Sequence, residues 1–310
     1  MAAKPRVAVF GPSPLLSITV EALTAAGGDD IHVHAAGQGV WVARMAAELG
    51  ADPVLCGFCG GESGIVLRRL LERLPIELRL TETAEGNGAY VHDRRDGERR
   101  PIAQSAAMPA SRHEVDDLFS VTCATAIDSD VLALCGPYPG EALPLEVYGA
   151  LVTDVRANGT PVVVDLSPPR LESALEGGPE LVKINDWELA TFIRGPVDTE
   201  ARTRAAVEKL FEAGAQAAII TRAEEPALVV RGDEAWELTP PRFERGSREG
   251  CGDSMMGGLA ASMAAGLGWE ETLRVGAAAG AANFLRHGLG TGARGVVEQL
   301  AGKVELRRLD

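Results

Sequence analysis

Gly250-Cys251-Gly252-Asp253-Ser254, continued by Met255-Met256-Gly257-Gly258, is a glycine-rich turn that opens a long apolar helix pattern. Such a turn leaves several backbone N–H groups without helical partners at the positive end of the helix dipole, where they face outward as an anion site. Asp253 falls in the first turn of that helix. Two readings fit it: an N-cap, the usual place for an aspartate there, or a reactive carboxylate. The flanking glycines let a ligand approach the backbone, which a cap does not require.

Upstream of this turn, compact apolar runs of buried-strand length recur at Arg6-Phe10, Val54-Phe58, Val131-Cys135, Val162-Leu166, Leu181-Ile184 and Ala217-Thr221. Between them lie helical stripes, such as Val42, Met45, Ala46 and Leu49, or Leu67, Leu70, Leu71 and Leu74. Strand and helix in alternation predict an α/β fold, a mostly parallel sheet with helices on both faces. Two regions break the rhythm, residues 12–36 and about 76–106, where short alternating segments are separated by Gly27-Gly28 and Asp96-Gly97. They predict a small antiparallel sheet, built from two insertions, that serves as a lid or a dimer clasp. Neither an internal repeat nor a low-complexity linker divides the chain, so residues 1–310 read as one domain with an appendage.

Thirty Lys+Arg against 44 Asp+Glu leave a formal net charge of −14. That field repels phosphate backbones and anionic lipid, which argues against nucleic-acid and membrane partners. No stretch approaches the ~20 apolar residues of a membrane span, and the amino-terminal apolar run Val7-Ala8-Val9-Phe10 is too short for a signal peptide. The reading is a cytoplasmic protein. Five cysteines form no disulfide framework, and Cys56-Gly57-Phe58-Cys59 lacks the second pair that a zinc or redox site needs, so both thiols read as structural. Cys251, at a helix start, reads as a candidate thiol of lowered pKa.

The glycine turn resembles the G-A-G-D-S signature of the ribokinase or phosphofructokinase B (PfkB) family of carbohydrate kinases, and other stations follow in family order. Ala36-Gly37-Gln38-Gly39-Val40-Trp41-Val42-Ala43 is similar to G-G-K-G-x-N-V-A, and Gly57-Phe58-Cys59-Gly60-Gly61 to G-x-x-G-G. Cys135-Gly136-Pro137-Tyr138-Pro139-Gly140 resembles S-G-S-x-P-x-G. Val164-Asp165-Leu166-Ser167, then Lys183-Ile184-Asn185-Asp186-Trp187-Glu188-Leu189, resemble D-x-S and K-P-N-x-x-E-L. The likeness is strongest to the 1-phosphofructokinase and tagatose-6-phosphate kinase branch. It implies a ribokinase-like three-layer sandwich with a β-sheet lid, and transfer of phosphate from ATP to a small-molecule hydroxyl.

Under that resemblance Asp253 is the general base, and the N–H groups of Gly250, Cys251 and Gly252 stabilise the moving phosphoryl group. Lys183, Asn185, Glu188, Thr221, Arg222, Ala223 and Asn283 fall on the nucleotide side. Asn185 and Glu188 organise Mg²⁺ through water; by spacing alone they also fit a capping box. Ser13, Ser17, Gly37, Gln38, Trp41, Asn87 and Arg248 fall on the acceptor side. There the sequence departs from the family: Gln38 and Trp41 replace Lys and Asn, Ser17 replaces the Asp of N-P-x-x-D, and Asn87 stands where T-R-x-N has Arg. Loss of two phosphate-binding charges, each worth ~1.5–3 kcal/mol, favours an uncharged acceptor with an apolar part, stacked on Trp41. Trp41 fits a core ring equally well. Arg94, Arg95, Arg99 and Arg100 in the lid, with Arg248, are the cations left to meet an anion.

Two other readings are weaker. Gly37-Gln38-Gly39 fails the dinucleotide fingerprint because Val42 holds its sixth position, and no G-x-x-x-x-G-K-S/T exists. A silent kinase relative that senses nucleotide or sugar accounts for the altered acceptor side, but has no use for a positioned base. A homodimer through the lid follows from the resemblance alone.

Overall fold

The computed structural model describes residues 4–23, 27–137, 140, 143–223, 225–286 and 288–309. In chain order come β1 (Arg6–Phe10), β2 (Leu15–Ala22), β3 (Asp29–Ala36), α1 (Gln38–Glu48), β4 (Asp52–Gly60), α2 (Gly61–Leu71) and β5 (Glu77–Thr83). Next are β6 (Ala89–Asp93), β7 (Arg100–Ser105), α3 (Arg112–Ile127), β8 (Val131–Cys135), α4 (Glu146–Ala157), β9 (Val162–Asp165) and α5 (Arg170–Glu176). Then follow β10 (Leu181–Asn185), α6 (Asp186–Ile193), α7 (Glu200–Glu212), β11 (Ala217–Arg222), β12 (Glu225–Arg231) and β13 (Glu234–Thr239). The chain closes with α8 (Cys251–Ala264), α9 (Trp269–Phe284), α10 (Arg294–Ala301) and β14 (Glu305–Leu309).

Among the described residues, ten strands form one sheet in the order β14-β13-β12-β11-β10-β9-β8-β1-β4-β5. The run from β11 to β5 is parallel, and β12, β13 and β14 extend it antiparallel. Side chains alternate across each strand, so β1 sends Val7 and Val9 to one face and Ala8 and Phe10 to the other. The first face is covered by α1, α8 and α9 through Met45, Met256, Leu259 and Ala278. The second is covered by α3, α4, α5 and α7 through Leu118, Leu151, Leu171 and Leu210. This is a three-layer α/β/α sandwich, with a buried core on both faces as parallel strands demand.

A smaller four-stranded sheet, order β3-β2-β6-β7, projects from the sandwich. It differs from the expected lid in two ways. Its middle pair, β2 with β6, is parallel rather than antiparallel. The segment Ile76-Thr81, expected within it, instead forms the edge strand β5 of the main sheet, in register from Val54–Glu77 to Gly60–Thr83. Its half-exposed alternation reflects an edge position and not a lid.

The helix behind the glycine turn is seated by small residues. A Cβ on Gly257 would come within 2.6 Å of the Val42 carbonyl on α1, so glycine lets α8 lie directly on α1 and fixes where Asp253 emerges. No helix among the described residues is long and apolar enough to cross a membrane.

Candidate active site

Strands β8, β9 and β10 end at Cys135, Asp165 and Asn185, facing the amino termini of α1 and α8, so their carboxyl ends form the floor of a crevice. Lys183 Nζ donates to Asp165 Oδ2 at 2.8 Å, with side-chain exposures of 7% and 9%. A Cβ on Gly252 would lie 3.1 Å from that ammonium, which therefore sits against the first turn of α8. Gly250, at φ 72°, is the N-cap of α8 and gives no side-chain cap. Cys251 N–H turns back to the Arg248 carbonyl at 3.3 Å, while the Gly252 N–H has no partner among the described residues. Of the three N–H groups expected to form the anion site, Gly252 is the one the geometry leaves open beside Lys183.

Three carboxylates share this one lysine. Burial, and then the Asp165 carboxylate, push Asp253 up to about 7, while Lys183 and a hydrogen bond from Gln38 restrain the rise. Glu188 is raised by burial and then by Asp165. Burial works against the Lys183 ammonium, but Asp165, Asp253 and Glu188 together hold it above the ordinary lysine value. A carboxyl poised near neutrality can take up a proton at working pH, which an ordinary aspartate does poorly.

Gln38 reaches into the same floor. Its Oε1 accepts from Gly136 N–H at 2.9 Å and its Nε2 donates to the Asp165 carbonyl at 3.2 Å. Asn185 and Glu188 make a reciprocal capping box at the start of α6: Glu188 N–H donates to Asn185 Oδ1 at 2.8 Å, and Asn185 N–H to Glu188 Oε2 at 3.2 Å. The capping reading of that pair is thus realised in the fold, and the Glu188 carboxylate still shares the field of Lys183 and Asp165. Asn283 is fully buried, donates to the Glu249 carbonyl at 2.7 Å and accepts from Thr291 N–H, so its amide braces the glycine turn from behind. Thr221 and Arg222 end β11, and Ala223 follows at φ 48°. Relatives carry glycine at this station, and the left-handed backbone explains why.

The comparisons with known proteins agree with this geometry. The model of the pfkB family carbohydrate kinases matches residues 14–294. The chain belongs to that family. The kinase is 28% identical over 258 residues to the ATP-dependent 6-phosphofructokinase isozyme 2 of Escherichia coli K12, covering 81% of this chain and 82% of that one. It is 26% identical over 273 residues to the 1-phosphofructokinase of Bacillus subtilis 168, covering 88% of each. Among solved structures, phosphofructokinase-2 from E. coli in complex with potassium superposes with a TM-score of 0.83 at 23% identity, over 97% of this chain and 99% of that one. The ribokinase-like fold and the kinase class follow.

On the acceptor side the kinase departs from what its sequence suggested. Asn87 does not offer its amide to a ligand: Nδ2 donates to the Pro14 and Phe58 carbonyls at 3.1 and 2.9 Å, and Oδ1 accepts from Gly60 N–H at 2.9 Å. It staples the lid to the end of β4. Ser13 and Ser17 are buried, and Ser13 Oγ, without a partner, lines a cavity of about 10 Å³ with Phe58, Asn87 and Met108. Gly37, at φ 109°, is the N-cap of α1. Trp41 packs with Leu15, Ala36 and Tyr90 where the lid meets α1, so much of its ring belongs to a small core. Arg248 is exposed beside the glycine turn.

The lid arginines divide. Arg95 and Arg100 pair with surface acids, Asp93 and Asp96 among them. Arg99 instead turns inward, with its guanidinium 5.2 Å from the Tyr90 ring centre, and forms an ion pair with Glu249 next to the glycine turn. Sequence reasoning missed this bridge and also the part played by Asp165, although a carboxylate closing the apolar run Val162-Val164 was a readable sign. Cys251 corrects an expectation too: burial raises its thiol, outweighing the helix start. All five cysteines are free, and burial pushes Cys56 up to about 11.

Proposed function

We propose that the kinase transfers the γ-phosphate of ATP to a hydroxyl of a small molecule, with Asp253 as general base. The observation that carries this reading is Asp253 itself, raised toward neutrality beside Lys183 and the open Gly252 N–H. Asp253 accepts the acceptor proton as the hydroxyl oxygen bonds to phosphorus, and Lys183 with the Gly252 N–H face the charge on the transferring group. The residues suit a magnesium–nucleotide complex: Asp165, Asp253 and Glu188 outnumber Lys183, leaving a surplus of buried negative charge. No set of three His, Cys, Asp or Glu among the described residues can chelate a metal directly, so Asn185 and Glu188 would hold the ion through water and phosphate oxygens. Bound Mg²⁺ supplies neutralisation of phosphate charge.

The acceptor is a sugar, sugar phosphate or related alcohol. With the amides of Gln38 and Asn87 engaged by backbone, recognition falls to fewer polar groups, and the exposed part of Trp41 offers an apolar wall. A second copy of the chain is the partner that fits the outer lid face, where Ile31 is 62% and Val33 38% exposed. Five free thiols suit the cytoplasm.

The test is ATP–Mg²⁺ turnover across phosphosugars, free sugars, nucleosides and aromatic alcohols, with Asp253→Asn alongside. Transfer should fall ~10²–10⁴-fold in the variant while nucleotide binding persists. Equal turnover by both proteins would remove Asp253 from the mechanism.

A further inference from the structure

We propose that Gln38 is the positioning residue for Asp253: clamped between β8 and β9, its side-chain amide aims one N–H at the Asp253 carboxyl and fixes the direction in which that carboxyl can take a proton. This rests on the reading of Asp253 as base. A glutamine amide has one acceptor oxygen and two N–H donors. Here Oε1 is taken by the Gly136 N–H and one Nε2 hydrogen by the Asp165 carbonyl. The reversed amide would set donor against donor at Gly136 and acceptor against acceptor at Asp165, so the orientation is determined. The remaining N–H lies within hydrogen-bonding reach of Asp253. It therefore holds one face of the carboxylate and leaves the rest for the acceptor hydroxyl.

The charge of this side chain matters as much as its aim. Asp253 is faced by the Asp165 carboxylate from β9, the Lys183 ammonium from β10 and Gln38 from α1, and it in turn acts on the thiols of Cys135 and Cys251. Glu188 joins this set through Asp165 and Lys183. A second cation at position 38 would stabilise the carboxylate further and weaken it as a base. An apolar side chain would remove a donor to the ionised form and also orphan the Gly136 N–H. The neutral donor lies between these extremes.

The test titrates the carboxyl carbon of Asp253 by ¹³C NMR in the full chain, with the resonance assigned by its loss in Asp253→Asn. Gln38→Leu should move the midpoint upward and Gln38→Glu further upward, because the latter keeps an acceptor for Gly136 but adds a like charge. Gln38→Lys should move it downward. Each pH unit of movement is a tenfold change in the ratio of ionised to neutral carboxyl, and the acid limb of the rate profile should follow. Midpoints that stay in place in Gln38→Leu and Gln38→Glu, in chains that still melt cooperatively, overturn the proposal, as does a rate loss equal at every pH. Should Gln38→Leu fail to fold, Gln38→Glu and Gln38→Lys decide it alone. Failure of the base reading shows separately, as turnover that survives in Asp253→Asn.

Discussion

Lys183 and Arg99 both pair with a carboxylate beside the same glycine turn, one from the sheet floor and one from the lid. The Lys183–Asp165 pair has side-chain exposures of 7% and 9%, whereas Arg99 and Glu249 stand at 16% and 50%. Similar chemistry at different depth has different consequences. Buried charges have nowhere to go when a partner is lost, so the floor is held in one arrangement. The lid contact can exchange with water or a ligand, so it can open and close over a floor that does not move.

The sharpest way to break this contrast is Lys183→Met. It leaves Asp165, Asp253 and Glu188 together without a cation, and should cost about 3–5 kcal/mol in denaturant unfolding. Adding Asp165→Asn to the same chain should recover a large part of the loss. A cost below about 1 kcal/mol in the single variant would mean that water already reaches the floor.

Asp253→Asn tests the same floor from the other side. A carboxyl raised from the ordinary range to about 7 binds a proton more tightly folded than unfolded. Its contribution to stability is therefore lost as pH rises between about 4 and 7. The asparagine variant should match wild type near pH 4 and be more stable by roughly 1–3 kcal/mol at pH 8, after allowance for its partial exposure. Thermal melts across that range check it, and a pH-independent difference would rule out a raised Asp253.

What could be read from the sequence follows the same division. The turn at Gly250–Ser254 was legible because its chemistry is local: glycine, helix start and carboxylate are neighbours in the chain. Gln38 and Asn87 were not, because their partners lie on strands distant in sequence, Gly136 and Asp165 for one, Pro14 and Phe58 for the other. A substitution that looks like a lost ligand contact proves to be a tie between elements. The strand at Ile76-Thr81 was misplaced for a related reason, since one exposed face looks alike on an edge strand and on a lid.

Ala223 marks the border between the two regions. Its φ of 48° is left-handed, and it ends the strand that closes the floor on the nucleotide side. Ala223→Gly should stabilise the fold by about 0.5–1 kcal/mol, the relief of left-handed strain less the entropy that glycine adds to the unfolded chain. The KM for ATP separates two further outcomes: a fall shows that the methyl narrows the nucleotide's approach, and no change confines its effect to the backbone.

Arg99→Gln carries the smallest expected effect and bears most directly on the contrast. Removing a partly exposed ion pair should change global unfolding by only about 0.2–1 kcal/mol. Local opening should nevertheless change where the pair acts. Hydrogen exchange should quicken in Ala89–Asp93 and Arg100–Ser105, which flank Arg99, and stay as in wild type in Val131–Cys135 and Val162–Asp165 under the floor. Glu249→Gln should reproduce that pattern, and raised salt should mimic it in the wild-type chain while leaving the buried Lys183–Asp165 pair untouched. If Arg99→Gln instead destabilises the whole chain as much as Lys183→Met, then Arg99 stacked on Tyr90 is a core anchor, and the lid is as fixed as the floor beneath it.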